Sequence, residues 1–338
     1  MRIPRVAVAL VGAALCCAAA GCAADRGAGA VSVLCSNDAD ICDQWARDFT
    51  ATTGVDVTMV RLPTSEALSR LEHSGTVPEF DIWHGGPAEF YTRAASEGLL
   101  QAYEPPGTAD IPDALRDPAH RWTGVYASVL AFCSDTAHLA RLGVAVPRSW
   151  EDLLDPGLRG MVVTSSPRTS GTAYTLMFTQ YQRLGRGAAE DYLRSLYGQV
   201  QQFTRSGTAP ARTVASGEAA VAVTFAPYCT SDQQGTTGLE VTLPSDGTGY
   251  EVGAVALLAG APHPTQARRY IDYAVSERGQ TACRRVGIHQ LPTDTRLPDD
   301  ITGLLEGPGS DLLPSDVHER NRMRDPLVGW FTQEGFDA

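Results

Sequence analysis

The sequence predicts an α/β fold of two lobes with a ligand cleft between them, and three observations predict it. The chain opens strand, helix, strand over Val31–Val60. Two long apolar strands, Thr123–Phe132 and Glu251–Ala259, bracket a second strand-to-helix series. The tetrapeptide Ser-Gly-Thr-Ala occurs twice, at Ser170–Ala173 and Ser206–Ala209, each time where a non-helical run gives way to helix.

The elements follow from periodicity. Val31–Leu34 is a short strand ending in Cys-Ser-Asn-Asp; Ile41–Thr53 has helical spacing, with Trp45 and Phe49 on one side; Val55–Val60 alternates as a second strand. Ser36 and Asn37 then stand at a strand's carboxyl end, where α/β folds place ligands. Ser65–His73 reads as helix, Phe80–Trp83 as a buried strand, and Gly85-Gly86-Pro87 as a tight turn into a helix running to Ala95. Pro87 suits a first helical position, and Gly85 and Gly86 permit close backbone approach, which adds both to the candidate floor beside Ser36. A strand begins near Gly160–Thr164, followed by helices near Ala173–Leu184, Ala188–Tyr197 and Pro210–Ser216 and strands near Ala220–Phe225 and Leu239–Thr242. The long strands at either boundary suggest that this middle stretch is a lobe inserted into the first. Lobe 1 is expected over 31–127 and 251–338 and lobe 2 over 128–250, with hinges near Ala127–Phe132 and Glu251–Ala256.

The repeated tetrapeptide has the chemistry of an anion cradle. Ser or Thr caps a helix start, Gly admits a ligand close to the backbone, and the first-turn N–H groups carry partial positive charge. A single copy is read as an ordinary cap more readily than as a ligand contact; the pair gains weight from its setting. Ser165, Ser170, Gly171, Thr172 and Ala173 are expected to offer donors from one lobe, with Ser206 and Gly207 beside them and Ser36 facing across. Arg168 either adds charge or is a solvated loop residue.

Composition limits the alternatives. The net charge of −12 disfavours a general nucleic-acid binder, which needs a basic face. The chain has no lysine, which excludes a Schiff-base lysine, a Walker-type lysine and the Ser-x-x-Lys arrangement. There is no Gly-x-Ser-x-Gly elbow, and His84 is the single histidine in a candidate site loop, better read as packed than as a base. A phosphate-ester hydrolase is therefore a weak rival, and no catalytic residue or cofactor is assigned. No Cys-x-x-Cys or His-x-x-x-His spacing suggests zinc.

The N-terminus reads as an export signal: Arg2 and Arg5 are followed by the apolar run Val6–Ala20 and by Ala19-Ala20-Gly21-Cys22. This resembles a bacterial lipoprotein signal over 1–22, with Cys22 the lipidated residue, and 23–30 is a tether. Ala19 stands where leucine is usual, so cleavage without lipidation is the alternative. The protein is thus expected outside the cytoplasm, anchored at the outer face of the cell membrane or periplasmic. In that oxidising setting Cys35 and Cys42 are placed to bridge the first strand to the first helix. A second pairing of Cys229 with Cys283 leaves Cys133, in an apolar run, as the odd thiol.

Read in order, Phe80-Asp81-Ile82-Trp83-His84-Gly85-Gly86-Pro87, Trp122-Thr123-Gly124-Val125-Tyr126, Ser149-Trp150-Glu151-Asp152-Leu153-Leu154-Asp155-Pro156, the two Ser-Gly-Thr-Ala runs, Gly247-Thr248-Gly249-Tyr250-Glu251-Val252-Gly253 and Ile288-His289-Gln290-Leu291-Pro292-Thr293 resemble a known family. It is that of bacterial ABC-transporter solute-binding proteins, the class that includes ferric-iron and hexose-phosphate binders. The resemblance implies a type II periplasmic-binding-protein fold. It also implies capture of a solute outside the cell and its delivery to a membrane permease and its ATPase, without fixing the solute; with the Ser-Gly-Thr cradle, the expected solute is a small anion, an organophosphate or phosphonate, bound by a monomer. The resemblance places Glu251 where sugar-phosphate relatives hold hydroxyls, but their His-Asp pair is replaced by Pro227 and Tyr228. Ferric-iron relatives use adjacent tyrosines there; this chain has only Tyr228, followed by Cys229, so ferric iron as transported ligand is the alternative. A ligand-sensing lipoprotein is a further one.

Overall fold

The computed structural model describes residues 29–75, 77–230, 239–299, 301 and 312–337. The expected signal segment and Cys22 lie outside these residues.

The opening is built as its periodicity predicts: β1 (Val31–Cys35), α1 (Ala39–Thr53) and β2 (Val57–Arg61), with β2 parallel to β1. Asp38 caps α1 by accepting from the amide of Asp40, and Ile41, Trp45 and Phe49 are buried on one face. Each fully buried side chain of this size stabilises the fold by about 1.5–3 kcal/mol. After α2 (Thr64–Ser74), strand β3 (Ile82–Pro87) pairs parallel with the other side of β1. The Gly-Gly-Pro run is thus the end of a strand rather than a free turn. Gly85 and Gly86 have φ of 88° and 82°, the left-handed region that glycine enters without strain, and α3 starts one residue later than the spacing suggests (Ala88–Ser96).

Strand β5 (Thr123–Asp135), 13 residues long and buried through Ser134, joins two halves of one sheet. Its first part pairs antiparallel with β10 (Tyr250–Leu258); from Leu130 onward it pairs with β8 (Val221–Phe225) and β9 (Leu239–Thr242). With β6 (Val162–Ser165) and β7 (Val200–Thr204), the order among the described residues is β2-β1-β3-β10-β5-β8-β6-β7, with β4 (Leu100–Gln101) on β10 and β9 on β5. The first half of the sheet carries α1 to α3 and α9 (Pro264–Val275), followed by the short α10 (Glu277–Gln280). The second half carries α4 (Thr136–Leu142), α5 (Gly171–Leu184), α6 (Arg186–Tyr197), α7 (Ala209–Ala215) and the short α8 (Ala226–Cys229).

Two features differ from expectation. Strand β7, Val-Gln-Gln-Phe-Thr, is half exposed and polar, so it lacks a buried-strand signal. The last helix, α11 (Val317–Glu334), has no apolar stripe; it buries Arg320, Leu327, Trp330 and Phe331 across both halves. Arg320 is 2% exposed and donates to Glu89 Oε1 of α3 at 2.7 Å and to Thr175 Oγ1 of α5 at 2.8 Å.

The cysteines also correct the sequence reading. Cys35 bridges Cys42, but the second disulfide joins Cys133 of β5 to Cys229 of α8, and Cys283 is the buried free thiol. Cys133 looks like core filler in sequence because the residues around it are buried in the same strand; its bonded position appears only when β8 lays the 225–229 turn beside β5.

Candidate anion-binding cleft

The two Ser-Gly-Thr runs come together in space. Ser170 caps α5, its Oγ accepting from the amide of Ala173 at 3.5 Å. Every residue of α5 from Gly171 to Gln180 is buried, so the positive end of a 14-residue helix opens at the cleft. Gly207 lies directly on this corner: a Cβ there would fall 2.0 Å from Thr172 Oγ1 and 2.9 Å from Ser170 Oγ. Only glycine permits that approach. The Ser206 and Thr208 hydroxyls sit 3.1 Å apart, and Thr208 precedes α7 without a side-chain cap bond of its own.

The facing wall comes from the ends of β1 and β2. Ser36 Oγ accepts from the Trp83 indole at 3.0 Å, and Asn37 Nδ2 donates to Gln290 Oε1 at 3.2 Å. Arg61, the last residue of β2, donates from Nε to the Asn37 carbonyl at 2.9 Å and from Nη2 to Ser206 Oγ at 2.6 Å, crossing the cleft. Pro63 and Thr64 at the head of α2 complete this side, while Tyr228 and Glu251 also line the cavity.

The halves are shut on one another. The accessible space is about 20 Å³, roughly one water's worth. Ion pairs Arg205–Glu66 at 2.6 Å and Arg212–Asp38 at 2.5 Å span the rim, and the Ser65 amide donates to the Thr169 carbonyl at 3.1 Å. Entry of a solute larger than water therefore requires the halves to separate.

Of the residues expected at the site, Ser36, Ser170, Gly171, Thr172, Ser206, Gly207, Tyr228 and Glu251 line this cavity. Ser165, Ala173, Gly85 and Gly86 do not, and each has a supporting place instead. Ser165 Oγ donates to Ser170 Oγ at 2.9 Å, and the Ala173 amide is the one that Ser170 caps. The Gly86 amide donates to the Tyr126 hydroxyl at 3.0 Å, the Gly85 carbonyl accepts from Tyr91, and a Cβ on Gly86 would meet Thr64 Oγ1 at 2.7 Å. The lack of a side chain makes room for Thr64 at Gly86 and for Ser36 and Asn37 at Gly85. Arg168 points to Asp337 as a half-exposed pair, not into the cleft. Sequence reasoning missed Arg61, Pro63, Thr64 and Thr208; Thr208 belongs to the second tetrapeptide and was within its reach.

The electrostatics divide the cavity. Arg61 is its single cationic lining residue among the described ones, and Glu251 its single carboxylate. Burial, reinforced by the Glu89 carboxylate and opposed by Arg320, pushes Glu251 well above the ordinary value. Burial and the nearby Glu251 push the Tyr228 phenol up as well. No group of three or more His, Cys, Asp or Glu side chains suited to a metal occurs among the described residues. His84 lies outside the cavity, stacked on Trp45 at 3.7 Å and facing the Tyr270 hydroxyl at 3.1 Å, with burial pushing its pKa down to about 3. This is packing, not a base.

Comparison with known proteins agrees with this architecture. The family model for bacterial extracellular solute-binding proteins matches residues 80–302. A protein of Haemophilus influenzae without an assigned function is 32% identical over 292 residues, 85% of this chain and 84% of that one. A putative 2-aminoethylphosphonate-binding periplasmic protein of Salmonella typhimurium is 23% identical over 276 residues, 80% of this chain and 74% of its own length. Among solved structures, the periplasmic binding protein AfuA of Actinobacillus pleuropneumoniae, with fructose 6-phosphate bound, superposes with a TM-score of 0.84 at 31% identity, covering 90% of this chain and 98% of that one. Iron-bound HitA of Pseudomonas aeruginosa superposes at 0.76 and 20% identity, covering 91% and 99%, a likeness of fold alone. The two-sheet-half architecture, the closed cleft and these matches lead to one conclusion: the chain belongs to the bacterial extracellular solute-binding protein family, with the two-lobed type II fold, and is the solute-binding component of an ABC importer.

Proposed function

We propose that the cleft captures a small phosphoryl anion, an organophosphate or a phosphonate. The observation that carries this reading is the meeting of both Ser-Gly-Thr corners at the head of α5, with Arg61 reaching across to Ser206. Hydroxyls, first-turn amides and one guanidinium converging on one small volume make a set of donors with little competing acceptor, which is what a phosphoryl group requires. The fructose 6-phosphate bound by AfuA and the phosphonate named for the Salmonella relative lend the class support. Glu251 at the other end would accept a hydroxyl or ammonium proton of the same solute.

In this reading residues 31–127 and 251–338 form lobe 1 and 128–250 lobe 2, and the paired strands β5 and β10 flex where they cross between them. α11 would then tie the lobes from behind. The loaded protein hands its solute to a permease driven by a cytoplasmic ATPase. The protein itself releases the solute chemically unchanged. Lipidation at Cys22 would hold it at the outer face of the membrane; no helix among the described residues is long and apolar enough to cross one. The direct test is isothermal titration of the exported chain with fructose 6-phosphate, 2-aminoethylphosphonate, inorganic phosphate and ferric citrate. Binding of a phosphoryl solute is the expected result, and binding of iron alone refutes the reading.

A further inference from the structure

Arg61 is unusual among the arginines at the cleft. Arg205 and Arg212 are each held by a carboxylate, Glu66 and Asp38; besides the Tyr228 phenol, these are the two carboxylates whose fields reach Arg61, and both are engaged with other arginines. Arg61 has no ion-pair partner among the described residues and is only partly exposed, with a pKa held below the ordinary arginine value by burial. A partly buried cation without a counter-ion is costly unless something else supplies the charge. Its hydrogen bonds are made to neutral oxygens, the Asn37 carbonyl and Ser206 Oγ, and these commit two of the five N–H donors of a guanidinium. The remaining donors belong to Nη1 and Nη2, and Arg61 lines the cavity together with Ser206 and Gly207.

We propose that Arg61 is the specificity-determining residue of this cleft, pairing with a doubly charged phosphoryl group so that phosphate monoesters and phosphonates are chosen over singly charged sulfate esters and sulfonates of the same shape. The inference rests on the phosphoryl reading given above and adds the charge state that the site selects. The hydroxyls and helix amides of the cradle donate to either kind of oxyanion and discriminate little between them. A fork-shaped cation aligned with two oxygens gains more from the second negative charge. Because Arg61 comes from β2 while Ser206 comes from the opposite half, the same side chain touches the anion only when the cleft is shut.

The test is a set of matched pairs titrated into the full exported chain at pH 8: 2-aminoethylphosphonate against 2-aminoethanesulfonate, and fructose 6-phosphate against its 6-sulfate. The wild type should prefer the phosphoryl member of at least one pair by about tenfold or more, the size of one charge-assisted hydrogen bond. Arg61→Gln should bring that preference close to one, with the sulfur analogue losing less affinity than the phosphoryl member; Arg61→Lys, which keeps the charge and loses the fork, should fall between and serves if the glutamine variant folds poorly. A wild-type preference retained in both variants overturns the assignment to Arg61. A wild type that binds none of the phosphoryl members refutes the phosphoryl reading itself, and this proposal with it.

Discussion

The Tyr228 hydroxyl donates to Asn37 Oδ1 at 3.1 Å, joining the two sides of the cleft, and each residue sits beside a disulfide. Asn37 lies inside the loop closed by Cys35 and Cys42, and Tyr228 immediately precedes Cys229, which is bonded to Cys133 in the strand shared by both halves. The bridges thus brace the two facing tips of the site at the point where they touch.

Removing the Cys133–Cys229 bridge, as Cys133→Ala with Cys229→Ala, should weaken solute binding and lower stability. The bridge spans 96 residues of sequence against 7 for Cys35–Cys42, so chain-entropy arguments give it the larger effect, up to about 4.7 kcal/mol. Denaturant unfolding of this double variant and of Cys35→Ala with Cys42→Ala, side by side with titration, measures both quantities. Equal stability of the variant and the wild type would show that the bridge does not constrain the chain.

Gly171 is fitted to closure as much as to the anion. A Cβ there would fall 2.6 Å from Pro87 Cδ on the facing half, too close for both to stay. Gly171→Val should therefore hold the halves apart, lowering affinity by tenfold or more while leaving the fold intact, since the clash is relieved by opening. Small-angle scattering with and without solute, alongside thermal unfolding, checks this. A variant that compacts and binds like the wild type contradicts it.

Glu251 makes the ligand-free closed state pH-dependent. Its folded-state pKa is raised above 4.5, so the folded protein holds a proton that the unfolded chain gives up. The stability it contributes is complete below the unfolded value and is lost as pH rises toward the folded one. The ligand-free melting temperature should fall as pH rises from about 4.5 more steeply in the wild type than in Glu251→Gln, which never ionises. Parallel melting curves for the two proteins would argue that Glu251 stays solvated.

Arg320 and Glu89 form an ion pair in which both side chains are 2% exposed. Arg320→Met alone strands a buried carboxylate and should cost about 3–5 kcal/mol. Adding Glu89→Gln should restore much of that loss. Urea unfolding of the double-mutant cycle measures the coupling, and additive losses would show that the two groups do not act as a pair.

How far the site could be read from sequence depended on whether local chain or long-range packing sets each residue. Ser170, Gly171 and Thr172 announce themselves because a cap, a glycine and a helical run are adjacent in the chain. Ser36 is found the same way, at the end of an apolar strand. Arg61 is silent: it ends an alternating strand and looks like any solvated basic residue until the opposite half brings Ser206 to within 2.6 Å. Gly85 and Gly86 are the opposite case, since a pair of glycines signals close approach but not of what; here Ser36 and Asn37 crowd Gly85 and the Thr64 side chain crowds Gly86. α11 escaped because its buried face carries an arginine and its sequence contains Pro326, so neither period nor composition marks it.

Whether the joined Ser-Gly-Thr corners bind a phosphoryl group is decided by calorimetric titration of the exported chain against phosphate esters, phosphonates and ferric citrate. One-to-one binding of at least one phosphoryl solute, weakened in Gly171→Val and Arg61→Gln, is the expected result. Saturable binding of ferric iron with no response to any phosphoryl solute would contradict it.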